Sequence, residues 1–190
     1  MDKATSAYLS ALDELNVLTA TSYYTTDGEN VAKRIDKIAD DVLSFLIMAY
    51  TLGIENASIM LMYGLLVDVE AMEDAIFLRI DGKTFADRVA AHVEKKDLRG
   101  LQTLVESEYH RVYNTAVQDG AAQYMSSDVY KTWYTVKDDR VRDTHRYLEG
   151  QTIRWDERFY TWDGDDALYP GGFFRAENNV NCRCIVTLRV

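Results

Sequence analysis

The stretch Thr132-Trp133-Tyr134-Thr135-Val136 marks a change in the pattern of this chain. Its β-branched and aromatic residues are typical of a β-strand. Before it, apolar residues recur every three or four positions, and no proline occurs before Pro170, as uninterrupted helices require. The pattern changes near Ser126-Ser127-Asp128. The sequence therefore predicts an α+β protein with a helical N-terminal region, 1–129, and a small β-containing C-terminal module, 130–190.

Five helices are predicted in the first region from apolar residues at helical spacing. Gly53 is suited to the left-handed conformation that often ends a helix, so the second helix is expected to stop there. The third segment, 56–80, is rich in methionine and apolar on more than one face, which favours the core over a partner-binding surface. The predicted helical ranges are about 8–18, 31–53, 56–80, 84–95 and 98–124.

The second region is predicted to alternate short elements with turns. Asp138 or Asp139 is expected to cap a short helix that Gly150 ends. The segment 156–181 is long for an irregular loop, and such loops tend to be functional. The other predicted elements are strands at 132–136, 151–155 and 182–190 and a helix at 140–149.

The charge of the chain is concentrated in its first part. Residues 1–130 hold 11 Lys and Arg against 21 Asp and Glu, which accounts for the whole net charge of −10. Such a surface repels phosphate backbones and suits a basic protein partner. Residues 131–190 are balanced, and eight of their ten cations are arginines, which favour specific paired contacts. Residues 1–130 are therefore a poor candidate for a DNA-binding groove, which leaves at most the C-terminal module for any contact with DNA.

Several classes of protein are disfavoured by the sequence. The apolar runs 42–50 and 59–69 are shorter than a bilayer requires, and no signal peptide is recognisable, so no membrane association is expected. Two cysteines fit a reducing compartment. There is no nucleophile elbow and no glycine-rich phosphate loop, and no histidine is adjacent to a Ser or Cys nucleophile. The sequence therefore predicts no enzyme.

One cluster of residues has the chemistry of a metal site. His145 is expected to face inward on its helix, while Cys182 and Cys184 lie on one face of the last strand. These residues are either packed core side chains or three of the four ligands of a zinc ion. Asp139 and Glu177 are the candidates for the fourth ligand.

A buried carboxylate is predicted in the last helix of the first region. Glu108 falls in the middle of its apolar stripe, which is costly unless a cation meets it. We expect Glu108 to dock the helical region onto the C-terminal module through Arg140, Arg142 or Arg183. The alternative is a rotated helix in which Glu108 is solvated.

A set of motifs in the second region resembles the phage Mu F-like minor head protein (phage head morphogenesis) family. The motifs are Trp133, a D-x-R-x-R-x-x-H pattern ending at His145 with Asp139 taken as its aspartate, Leu148-Glu149-Gly150-Gln151, Pro170-Gly171, Glu177 and Asn181-Cys182-Arg183-Cys184. Upstream, Ile80-Asp81-Gly82-Lys83-Thr84-Phe85-x-x-Arg88 and Glu108-x-x-Arg111-x-x-Asn114 are similar to the helical region that precedes this module in the family.

The resemblance implies a structural, non-enzymatic protein of a tailed phage or prophage. Its expected partners are the portal protein and inner capsid components, and its expected place is the virion, in the head interior or near the portal, after assembly in the host cytoplasm. It would act in head morphogenesis and DNA packaging.

The resemblance also suggests which residues organise the module. Asp139 and Arg142 are expected to set its turn through charge-assisted hydrogen bonds, and Glu108 and Arg111 to lie between the two regions. The residues expected at the structural heart of the module are Trp133, Asp139, Arg142, His145, Gly150, Cys182, Arg183 and Cys184. The alternative function is an effector or toxin-associated module with hydrolase-type activity, and a third is a plain helical interaction protein.

Overall fold

The computed structural model describes residues 3–124 and 128–190, and within them helices come first and strands later. The helices are α1 (Lys3–Thr25), α2 (Val31–Leu61), α3 (Val69–Ile76), α4 (Phe85–Glu94), α5 (Leu98–Tyr124), α6 (Asp143–Arg146) and α7 (Ala176–Asn179). The strands are β1 (Tyr130–Tyr134), β2 (Thr152–Arg154), β3 (Phe159–Tyr160), β4 (Asp166–Ala167) and β5 (Ile185–Arg189). The predicted α+β class is confirmed. The predicted change of pattern at residues 126–127 lies outside the described residues.

The second helix is longer than the sequence predicted. α2 passes through Gly53 without a break and ends at Leu61, and the residue that caps it, Met62, adopts the left-handed conformation itself (φ 49°). Gly53 instead allows α2 and α5 to approach closely. A Cβ there would lie 2.5 Å from the carbonyl oxygen of Tyr113 and 2.6 Å from Cβ of Ala116. The prediction that Gly53 ends the helix was therefore wrong, because the glycine is needed for packing.

The predicted third helix, 56–80, divides between the end of α2, a loop and α3, whose N-terminus is capped by the Asp68 carboxylate. Met60 and Met72 pack against the core, as predicted. Most of the other large apolar residues of this segment lie at the surface, so a core position was the wrong prediction for them. We call the following exposed residues the apolar face: Ile59, Met62, Tyr63, Leu66, Val67, Val69, Phe77 and Leu78.

By length and composition, α2 is the one helix among the described residues that could cross a membrane. This is weak evidence, since the core helix of a folded protein passes the same test. Ile38, Val42 and Leu46 on one face of α2 are almost fully buried, and α2 packs mainly on α5. In this structure α2 serves as a core helix.

A three-stranded antiparallel sheet with the order β2-β1-β5 forms the centre of the C-terminal part. Trp133 in the middle strand is paired with Val186, and Thr132 pairs with both Thr152 and Thr187. The three predicted strands are therefore present, with shifted ends. The predicted helix 140–149 contracts to the single turn of α6.

The last strand starts later than predicted, at Ile185. Asn181 has a left-handed backbone (φ 56°), and the main-chain N–H of Cys182 donates to the carbonyl oxygen of Asn179 (3.0 Å). Cys182 and Cys184 therefore lie in an irregular segment just before β5. Their side chains are turned away from the sheet ladder, towards α6.

Helical and C-terminal parts share one core. Gln118 of α5 donates to the carbonyl oxygen of Trp155 (2.8 Å), and the N–H of Leu188 in β5 donates to Sδ of Met60 in α2 (3.1 Å). Buried apolar residues from α1 to β5 form a single contiguous cluster. The C-terminal part is thereby fixed on the α2–α5 pair.

Candidate functional site

Three potential metal ligands meet beneath α6. Nδ1 of His145 lies 3.6 Å from Sγ of Cys182 and 3.4 Å from Sγ of Cys184, and the three donor atoms lie within 4.8 Å of one another. All three residues are buried, and His145 is 1% exposed. The predicted inward orientation of His145 is thus what the structure has, and the two thiols face the same nitrogen.

Two aromatic rings pack against the imidazole of His145. Phe173 stacks on the imidazole with ring centroids 5.2 Å apart, and Trp133 meets it edge-on at 5.6 Å. Nε2 of His145 is buried and has no hydrogen-bond partner within residues 3–124 and 128–190. Nδ1 is therefore the ring atom that faces the polar groups of the site.

The two thiols affect each other's protonation. A hydrogen bond from Cys184 lowers the pKa of the Cys182 thiol, and His110 and His145 lower it further. The same bond and burial raise the pKa of the Cys184 thiol.

An ion pair fixes the loop in front of α6. Arg183, which lies between the cysteines in sequence, donates two hydrogen bonds to the Asp138 carboxylate (2.7 and 2.9 Å), and this pairing lowers the pKa of Asp138. Asp138 also accepts from the N–H of Arg140 (3.0 Å). Asp139 offers its main-chain carbonyl to Arg146 instead (3.1 Å). The prediction that the Asp139 carboxylate sets the turn was wrong, since Asp138 is the aspartate at the D-x-R-x-R-x-x-H spacing.

The other predicted motif residues hold the cysteine segment and the turn in place. Arg142 precedes α6 and donates to the carbonyl oxygen of Val180, next to the cysteine segment. Gly150 has a positive φ (75°) and donates its N–H to the carbonyl oxygen of Trp133 (2.9 Å). These bonds tie the turn after α6 to β1 and the start of α6 to the chain before Cys182.

Neither candidate for a fourth ligand reaches the cluster. Asp139 and Glu177 are both exposed, and the group of potential ligands among the described residues contains only the histidine and the two cysteines. Beside the cluster is a cavity of about 10 Å³, lined in part by Arg142 and Asn181. Roughly this volume holds one water molecule.

Asp165 organises the long loop between β2 and β5, a role the sequence only partly indicated. Its carboxylate accepts from the N–H groups of Asp166, Phe174 and Arg175 and from the Asn178 amide (2.7 to 3.2 Å). Burial alone would raise the pKa of Asp165, but the Asn178 amide and these N–H groups lower it. The loop therefore wraps around Asp165. The Asp-Gly-Asp-Asp run at 163–166 signals a turn but does not indicate which carboxylate is buried.

A second buried charged group lies in the helical part. Glu108 is 3% exposed and accepts two hydrogen bonds from Arg88 of α4 (2.6 and 2.9 Å) and one from Arg111 of α5 (3.0 Å). Arg111 also donates to the carbonyl oxygen of Ala75 in α3 (2.8 Å). Burial raises the pKa of Glu108, but the two arginines outweigh it and lower the pKa.

The prediction that Glu108 pairs with Arg140, Arg142 or Arg183 was therefore wrong, because nearer arginines in the helical part satisfy it. Arg111 does lie against the C-terminal part. A Cβ on Gly171 would be 3.2 Å from Cα of Arg111, so the glycine is required for this contact. A cavity of about 570 Å³, lined by both residues, adjoins the network.

One lysine is buried beneath the sheet. Lys131 of β1 is fully buried and donates to the side-chain oxygen of Gln118 (3.1 Å) and to the carbonyl oxygen of Leu168 (2.8 Å). Burial lowers its pKa to about 7. The alternating pattern of the strand did not reveal that a lysine would occupy an inward position.

Comparison with known proteins identifies relatives of this chain. The family model described as Phage Mu protein F like protein matches residues 69–187. Minor head protein GP7 of Bacillus phage SPP1 is 32% identical over 101 residues, covering 51% of this chain and 33% of that protein. NAD(+)--arginine ADP-ribosyltransferase EFV of Enterococcus faecalis (strain ATCC 700802 / V583) is 26% identical over 167 residues, covering 85% of this chain and 34% of that protein. The chain spans about a third of the length of these relatives, and no solved structure matches it.

Proposed function

This chain belongs to the Phage Mu protein F like family, and we propose that it acts as a minor head protein that binds the portal protein during head morphogenesis and DNA packaging. In this proposal it resides in the virion, near the portal or in the head interior, and is assembled in the host cytoplasm. The similarity to a minor head protein supports the head role. The surface of α2 and α3 supports a protein partner.

The apolar face is the observation that carries the proposal. Met62 is 92% exposed and Leu66 80% exposed, and both belong to the eight exposed residues that make up the apolar face within the segment 59–78. Contiguous exposed apolar residues rimmed by polar ones are typical of surfaces that bind another protein.

Charge indicates the chemistry of the partner. The apolar face is interleaved and flanked by exposed carboxylates of Asp68, Glu70, Glu73 and Asp74. We therefore propose that it docks on a portal surface in which an apolar patch is bordered by lysines or arginines. Such complementary charges accelerate association and fix its register.

A binding experiment with matched variants tests this proposal. The chain is titrated against the portal protein of the same phage, and the affinity is measured for wild type, Leu66→Asp and Val17→Asp. Val17 is exposed on α1, away from the apolar face, and is the control. We expect Leu66→Asp to weaken binding about tenfold or more, as for a central interface residue, and Val17→Asp to have no effect. Equal affinities for all three chains would refute the apolar face, and absence of wild-type binding would refute the portal as partner.

Contact with DNA is proposed for the C-terminal part only. A groove of about 880 Å³ between this part and the helices is lined by Arg140, Arg142 and Arg183, and also by Asp13 and Glu106. The acidic residues oppose phosphate, so we expect only weak, salt-sensitive binding. Retention of duplex DNA in a gel-shift titration should be lost in Arg140→Glu, and binding that is unchanged in this variant would contradict the assignment.

The similarity to an ADP-ribosyltransferase favours one alternative, that the chain is a module of an effector. The similarity extends over most of this chain, but it covers only a third of that enzyme. The proposed structural role predicts that the chain neither hydrolyses NAD⁺ nor transfers ADP-ribose to an arginine-containing protein. Turnover of labelled NAD⁺ above that of a heat-denatured sample would favour the effector instead.

A further inference from the structure

We propose that His145, Cys182 and Cys184 bind one zinc ion, with a water molecule as the fourth ligand. The proposal is independent of the portal-binding role. It rests on the positions of the donor atoms, on their chemistry and on the cavity beside them.

The distances between the donor atoms fit a tetrahedral zinc site. With Zn–S near 2.3 Å and Zn–N near 2.0–2.1 Å, a sulfur and a nitrogen ligand of a tetrahedron are about 3.5 Å apart. The two separations from Nδ1 of His145 are 3.6 Å and 3.4 Å. An ion would thus enter between the three atoms with little rearrangement of α6 or of the cysteine segment.

Hydrogen bonds within the cluster can join one thiol to the other and one thiol to Nδ1 of His145. Both sulfur atoms nevertheless lie within 3.6 Å of that one nitrogen, at the separation expected of ligands of a shared ion. A cation at the centre satisfies all three donors at once. Two thiolates and one Zn²⁺ have no net charge, so the site can remain buried without an uncompensated ion.

The donor set and the surroundings select the metal and its coordination. Two thiolates and one imidazole suit Zn²⁺ better than the harder Mg²⁺ or Ca²⁺. Phe173 and Trp133 pack against the imidazole, while His145 and both cysteines line the cavity of about 10 Å³. A single water in that cavity completes the tetrahedron. Binding releases the thiol protons that remain on the pair.

Cobalt spectroscopy of the full chain tests the proposal without any variant. The chain, purified without a histidine tag and stripped with a chelator, is titrated with Co²⁺ and then with Zn²⁺. We expect one equivalent of Co²⁺ to give an intense sulfur-to-metal charge-transfer band and the visible bands of a tetrahedral ion, both abolished by one equivalent of Zn²⁺. A weak octahedral spectrum without the sulfur band would overturn the proposal.

Variants identify the ligands. Cys182→Ser and Cys184→Ser should each weaken zinc binding by at least about 100-fold, since losses of outer-sphere partners alone cost 10–100-fold. His92→Gln is the control, because His92 lies on α4 and pairs with Asp97, outside the cluster. Zinc affinity that is equal in wild type and in both cysteine variants would also overturn the proposal.

Discussion

Replacing Glu108 by glutamine tests the buried Arg88–Glu108–Arg111 network. The change keeps the shape of the side chain but removes the charge that two arginines share, and their side chains are only 14% and 5% exposed. Removing one member of a buried ion pair typically costs about 3–5 kcal/mol. Because glutamine still accepts one hydrogen bond, we expect the lower end, about 3 kcal/mol. This is a large share of the roughly 5–15 kcal/mol that stabilises a domain.

Urea unfolding followed by circular dichroism measures the effect. With a urea dependence of about 2 kcal/mol per molar, the midpoint should fall by about 1.5 M. Glu73→Gln, at an exposed position of α3, is the control and should change stability by at most about 0.5 kcal/mol. A urea midpoint for Glu108→Gln that lies within about 0.3 M of the wild-type midpoint would refute the reasoning.

The difference in stability between wild type and Glu108→Gln should depend on pH in a defined direction. The pKa of Glu108 is lowered in the folded protein, from an ordinary value of 4.5. The contribution of ionised Glu108 to the stability of the folded protein is therefore fully present above about pH 4.5, and it is lost as the pH falls through the pKa of Glu108 in the folded state. Wild type and Glu108→Gln should become equally stable in acid. A difference that persists undiminished at low pH would mean that packing, and not charge, causes the loss.

Three further predictions concern other buried residues. Gly53→Ala should destabilise the protein by about 1–3 kcal/mol despite the better helix propensity of alanine, because the added Cβ would overlap α5. Gly64→Ala is the control, since Gly64 has open space around it, and it should be neutral or slightly stabilising. Thermal unfolding of both variants measures the difference. The pKa of Lys131 is about 7 in the folded protein, against an ordinary value of 10.5. The wild type should therefore gain stability as the pH rises from 7 to 10, by up to about 1.4 kcal/mol per pH unit. Urea titrations at several pH values should show that Lys131→Met lacks this gain. Asp165→Asn should increase proteolysis within 156–181, because the carboxylate accepts four hydrogen bonds there; an unchanged cleavage rate would show that other contacts hold the loop.

Local patterns predicted much of this fold. The range of α5 was predicted correctly, and the predicted ends of α4 and β2 differ from the observed ones by one residue. The predicted alternation of apolar and polar residues in β5 is observed for residues 185–189. These elements follow from spacing alone, which depends on short-range geometry. The ends that were missed depend on tertiary contacts. Gly53 is placed by the approach of another helix, and the start of β5 by the turn at Asn181.

The candidate site was predicted in its members but not in its bonding. Residue chemistry singled out His145, Cys182 and Cys184, and the fold brings them together. The partners of Glu108 could not be chosen from sequence, because arginines occur in both parts of the chain and only packing shows which are near. The same holds for Asp138 and Asp139, since adjacent aspartates differ by the direction in which the backbone turns.

The close packing of α2 on α5 limits how the segment that matches the family model, residues 69–187, can be recombined or transferred into another protein. The family match begins at Val69, yet α2, which ends at Leu61, supplies the surface on which α5 is buried. A fragment starting at Val69 would expose Val112, Ala116 and Val117 of α5 to water. A functional graft into another protein must therefore carry α2 as well, and recombination between relatives should preserve the two helices as one unit.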